Sequence, residues 1–210
     1  MKRAVAFIAI ILGAFVFASV MITGWSVGRG AGVAEARSGQ PAALTVGTTL
    51  APHVYLSIET PDMLGGTEDT GPAYVPSAFT LPANTDVIVT VTNFDGATAL
   101  PAGSVQFAKA SGVKGLVTTQ VVDAVHPNAT AATRSGMTLD PTTGVSHTFT
   151  IAKLGLNVPI APLSRTTFTF HTGAAGVYDW RCMDPCGSGA AGWGAAMSRD
   201  GFMQGKVTFA

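Results

Sequence analysis

The chain has 210 residues, of which 11 % are charged, and twelve Lys and Arg balance twelve Asp and Glu to a formal net charge of zero. So sparse a charge argues against nucleic acid as a partner, because phosphate binding needs clustered Lys and Arg. It argues equally against strong electrostatic steering, while the length suffices for one domain with a sizeable core.

Lys2 and Arg3 precede an uncharged run from Ala4 to Gly28. At about 1.5 Å per helical residue, such a run can span a hydrocarbon core of roughly 30 Å. A secretory signal has a shorter apolar core, so the length predicts a signal-anchor transmembrane helix over residues 1–28. Residues 29–42 are Gly- and Ala-rich and read as a flexible linker. The remainder is then expected outside the cytoplasmic membrane, on the periplasmic or cell-wall side, or secreted if the N-terminus is cleaved. Both cysteines would face an oxidising compartment.

From residue 43 to the end, short β-branched runs alternate with Gly, Pro, Asn and Asp punctuation. Val87–Asn93 ends at the turn signal Asp95-Gly96. Further strands are expected at Val145–Ile151, Arg165–His171, Val177–Cys182 and Lys206–Phe209, with one around Val113–Val122. This pattern predicts an all-β, antiparallel sandwich or barrel. The Thr- and Ala-rich segment 97–144 reads as an insertion on it.

Alternation along these strands assigns faces to the chemically distinctive side chains. In VSHTFTI, His147 shares a face with Val145, Phe149 and Ile151. In VYDWRC, Cys182 shares a face with Tyr178 and Trp180. Met203 has the parity of Val207 and Phe209. An imidazole, a thiol and a thioether from three strands thus carry core parity near strand ends, and Cys186 lies four positions beyond Cys182. These are the soft and borderline donors that copper favours. In an exported chain Cys182 and Cys186 can instead close a disulfide. His171 has the parity of Thr167 and Thr169 and is expected on the surface. His53 and His126 sit beside prolines in loop-like contexts and are also expected there.

The segments GVSHTFTIAKLGLNVPIAP, GVYDWRCMDPCG and DGFMQGKVTF resemble the cupredoxin domain of cytochrome c oxidase subunit II and its exported relatives. The resemblance covers about Val145 to Phe209, and VIVTVTNFDG is similar to an earlier strand of the family. It implies a Greek-key β-sandwich of cupredoxin type, with His147, Cys182, Cys186 and Met203 as copper ligands. The backbone carbonyl of Asp184 would join them. The family's second histidine falls on Asp200, a harder oxygen donor carried here as a fifth candidate, and the loop before it is longer than in the family. The single N-terminal apolar run also departs from the helical hairpin of oxidase subunits.

The expected function is one-electron transfer by a membrane-tethered cupredoxin holding one or two copper ions. Its partner would be a redox protein such as a cytochrome c or a terminal oxidase, with Trp180 and Trp193 considered for the docking surface. The alternatives are a metal-free accessory module of a membrane complex, stapled by Cys182–Cys186, and a copper storage or delivery protein using Met183, Met197 and Met203. The chain is not expected to be an enzyme by itself.

Overall fold

The computed structural model describes residues 50–66, 70–121, 133–184 and 196–210. The expected anchor at residues 1–28 and linker at 29–42 lie outside them, as do His126, Cys186 and Trp193. Among the described residues, no helix is long and apolar enough to cross a membrane.

Among the described residues, eleven strands form two sheets, which pack on each other as a sandwich. They are β1 (His53–Glu59), β2 (Ala73–Val75), β3 (Ala78–Leu81), β4 (Asp86–Asn93), β5 (Val113–Val121), β6 (Thr133–Gly136), β7 (His147–Ile151), β8 (Leu156–Ile160), β9 (Ser164–His171), β10 (Gly176–Arg181) and β11 (Gln204–Phe209). One sheet has the order β2-β1-β4-β9-β5-β6 and the other β3-β11-β10-β7-β8. The β-sandwich expectation holds, with one correction: both sheets are mixed, because β1 runs parallel to β4 and β3 parallel to β11.

The core follows from period-two alternation on both inner faces. Val87, Val89 and Val91 of β4 and Phe168 and Phe170 of β9 are buried against Phe149 and Ile151 of β7, Tyr178 and Trp180 of β10, and Val207 and Phe209 of β11. Each large apolar side chain removed from water in this way contributes about 1.5–3 kcal/mol. Trp180 is the centrepiece. Its ring lies 5.6 Å from that of Phe149 and 4.7 Å, edge-on, from that of Tyr74. Its indole N–H donates to the Ser77 carbonyl at 2.9 Å, so the buried polar atom is satisfied.

The segment 97–144 is more integral than an insertion. It supplies β5, which pairs with β9 inside the six-stranded sheet, and β6 beyond it. Its earlier half straps β8: Ser111 and Asn157 exchange two main-chain hydrogen bonds, and the Asn157 amide donates to the carbonyls of Phe107 and Lys109. β7 is buried on both faces, Thr148 and Thr150 included: Thr148 Oγ1 accepts the Met183 N–H, and Thr150 Oγ1 donates to Asn157 Oδ1 at 2.7 Å. Val145, expected to share the face of His147, instead precedes the strand and packs in a separate small cluster with Leu100 and Ala108.

Candidate metal centre

Antiparallel pairing brings the start of β7, the end of β10 and the residues before β11 to one end of the five-stranded sheet. His147 is the first residue of β7, Cys182 follows β10 directly, and Met203 precedes β11 directly. All three side chains are buried, His147 and Met203 completely. The inward parity read from the sequence is therefore present in the fold.

The Sγ of Cys182 lies 3.9 Å from Nδ1 of His147. It also lies 3.6 Å from the carbonyl oxygen of Asp184, and it accepts the main-chain N–H of Thr148 at 3.3 Å. Two hydrogen bonds fix the strand ends around it. The Cys182 N–H donates to the Met203 carbonyl at 2.8 Å, and the Met183 N–H donates to Thr148 Oγ1 at 2.7 Å. Met203 is itself tied by its N–H to the Ala196 carbonyl at 3.2 Å. Met197 packs against the core and Met183 is half-buried.

A residue that the sequence reading treated only as a turn signal completes the surroundings. Asp95 Oδ2 is 3.0 Å from Nε2 of His147, from a position 52 residues earlier in the chain. Burial pushes the imidazolium of His147 towards losing its proton, but hydrogen bonds to Asp95 and Cys182 and the negative charge of both outweigh it. The pKa rises from 6.5 to about 9. Burial likewise works against the charged form of Asp95, yet the hydrogen bond and charge of His147 and the Gly96 N–H hold its carboxyl below the usual range.

Asp200 is not part of this arrangement. Its side chain is exposed at the tip of the turn before β11, where Oδ1 accepts the Gln204 amide at 2.9 Å. It lines an outer cleft with Asp179, Arg181 and Gln204. The reason is parity: Arg181 and Gln204 point away from the core, and Asp200 bonds on their side. The other two described histidines lie on the surface. His171 pairs with Asp86 at 2.6 Å, as its parity predicts. His53 is exposed as well, but it opens β1 and is not in a loop; its ring stacks on Tyr55 and bonds Thr90 Oγ1 at 2.8 Å. Trp180 is core and presents no docking surface.

Among the described residues, no three His, Cys, Asp or Glu side chains converge on a point suited to a metal ion. His147 and Cys182 supply two donors there and Met203 a thioether nearby, with Cys186 outside the described residues. The 3.9 Å between nitrogen and sulfur suits one ion bound by both, since first-row metal bonds to imidazole and thiolate are about 2.0 and 2.3 Å. The donor set fits copper better than a hard cation.

No protein-family model matches the chain, and no curated protein does. Solved structures with a similar course include dithionite-reduced auracyanin from the photosynthetic bacterium Roseiflexus castenholzii, at 16 % identity over 76 % of this chain and 98 % of that one, with a TM-score of 0.33. The copper protein rusticyanin aligns at 15 % identity over 78 % of this chain and 80 % of its own, with a TM-score of 0.31. A laccase from Pediococcus acidilactici aligns at 12 % identity over 82 % of this chain but only 29 % of the laccase, with a TM-score of 0.37. At these scores the similarities assign this chain to no family.

Proposed function

We propose that this chain is a cupredoxin tethered outside the cytoplasmic membrane, carrying one electron at a time on copper. The observation that supports it most is the 3.9 Å approach of His147 Nδ1 to Cys182 Sγ in a fully buried position. His147, Cys182, Cys186 and Met203 are the proposed ligands, with the Asp184 carbonyl as a further donor. Asp200 is left out, so a single nitrogen donor remains and the reading favours one ion over two.

Copper held by these residues would supply one-electron redox chemistry. The protein's part is to keep the donors still. His147 lies under the sandwich with no exposed surface, so water is kept away from its ring. The Thr148 N–H points at the Cys182 sulfur and stabilises negative charge there, one of the contacts that tune a metal site's potential. Strand ends tied to each other by main-chain hydrogen bonds resist rearrangement between the two states. The proposed partner is a redox protein such as a cytochrome c or a terminal oxidase, reached by an exported domain held by residues 1–28.

The full chain, purified reduced, loaded with copper and then oxidised, tests this by its optical spectrum. Intense visible thiolate-to-copper bands are the expected result. A colourless protein that retains no copper rejects the reading.

The placement of Asp200 on the solvent side favours a second reading, in which the fold is kept without copper as an accessory module closed by a Cys182–Cys186 bridge. That reading expects no titratable thiols in the exported protein, and finding two of them removes it.

A further inference from the structure

We infer that Asp95 is a positioning residue for His147: it accepts the Nε2 proton and so keeps Nδ1, the nitrogen facing Cys182, available as a donor. The inference rests on the copper reading for its purpose. Its structural content concerns only this chain.

The geometry that carries it is reciprocal. Neutral imidazole has one N–H and one acceptor nitrogen, and the hydrogen bond made by one nitrogen decides the role of the other. Nε2 meets a carboxylate oxygen, Asp95 Oδ2, at 3.0 Å. A carboxylate can only accept, so the shared proton sits on Nε2. Nδ1 meets the Cys182 sulfur. The ring is fully buried.

Asp95 is itself held from several sides. Its other oxygen, Oδ1, accepts the Gly96 N–H at 2.8 Å. Its own N–H donates to Asn93 Oδ1 at 3.0 Å, and its carbonyl accepts the Leu163 N–H at 3.0 Å. Asn93 is completely buried, and its amide reaches the Ala161 carbonyl at 2.9 Å. The carboxylate is thus presented by a turn pinned to the ends of β4 and β9. In metal sites, a carboxylate behind a histidine ligand fixes ring orientation and tautomer, and its loss lowers affinity by about 10- to 100-fold.

Both oxygens of Asp95 accept from N–H groups, which makes Asp95→Asn a discriminating substitution. The amide has one oxygen and one NH2. If the oxygen keeps Gly96, the NH2 faces Nε2 and the ring proton must move to Nδ1, the nitrogen that faces Cys182. If the oxygen keeps Nε2, two donors meet at Gly96. Volume and shape hardly change, so a residue that served only to fill space would tolerate the exchange.

The test uses the full chain with its thiols reduced. Ring 15N shifts of His147 are recorded in the metal-free protein at pH 10, so that the ring carries one proton, and the copper dissociation constant is measured separately. The parent should hold the proton on Nε2. Asp95→Asn should move it to Nδ1 and raise the dissociation constant by about 10- to 100-fold. Asp95→Ala, which removes the acceptor without adding a donor, should spread the proton over both nitrogens and covers the case in which the Asn variant does not fold. Variants that keep the parent's ring shifts and copper affinity overturn the inference and leave the copper reading standing. A parent that binds no copper removes the copper reading, while a proton moved by Asp95→Asn still upholds the positioning role.

Discussion

Gly205 lies directly against Trp180. A β-carbon at position 205 would stand 2.9 Å from Cζ2 of the Trp180 ring and would overlap the Ser77 carbonyl oxygen outright. That same oxygen accepts the indole N–H. The side chain missing from position 205 is what lets β3, β11 and the tryptophan meet.

Gly205→Ala is therefore expected to destabilise the domain by at least the 1–3 kcal/mol typical of overpacking, because the obstacle is backbone and cannot rotate away. Urea denaturation followed by Trp fluorescence measures it. A midpoint equal to the parent's would mean that the contact between β3 and β11 relaxes freely.

The metal-free protein should lose stability as the pH rises through about 9. His147 has its pKa raised from 6.5 to about 9 in the folded state, so folding favours the protonated ring. That contribution is fully present below about pH 6.5 and is lost through about pH 9. The displacement corresponds to roughly 3 kcal/mol. Denaturation midpoints at pH 6 and pH 10 should differ in the parent and much less in His147→Gln. A parent with equal midpoints would contradict the ion-paired geometry of His147 and Asp95.

Met203→Leu separates packing from ligation. The exchange conserves volume in a fully buried site, so stability should change by less than about 1.5 kcal/mol. If the thioether binds copper, the visible spectrum and reduction potential should shift all the same. An unchanged potential would return Met203 to the core as filler.

Asp200→Asn is expected to leave copper affinity and spectrum at the parent's values, since Asp200 bonds Gln204 on the exposed side of the turn. Cys182→Ser should weaken and shift the thiolate-to-copper bands, since only Cys186 remains as a thiolate donor, and should lower copper affinity. A Cys182→Ser protein that binds copper as tightly as the parent would remove the site from this end of the sandwich.

Alternation alone placed His147, Cys182 and Met203 on the inner face, because each belongs to or adjoins a strand with a clear period of two. Other elements were hidden by local chemistry. Leu156–Ile160 contains Pro159, which reads as a breaker; it is tolerated because β8 is an edge strand, where a missing N–H costs no ladder bond. His53 follows Pro52 in a loop-like context, yet it opens β1, which pairs with β2 on one side and β4 on the other. Asp95 was legible only as half of an Asp-Gly turn. Its second role depends on a contact 52 residues away, which no local pattern encodes. Asp200 was drawn towards the site by its spacing before Met203, but the turn at Gly201, with φ of 93°, carries it outward.

Asp95 follows a strand of the six-stranded sheet, and His147 begins a strand of the other. Their hydrogen bond is a clasp between the two layers. An ion seated on His147 and Cys182 would meet its aligned ring only after the layers have docked, so occupancy would report that the sandwich has closed. Such an ion adds its binding free energy to the closed state alone. Prising the layers apart should release it before any strand unravels.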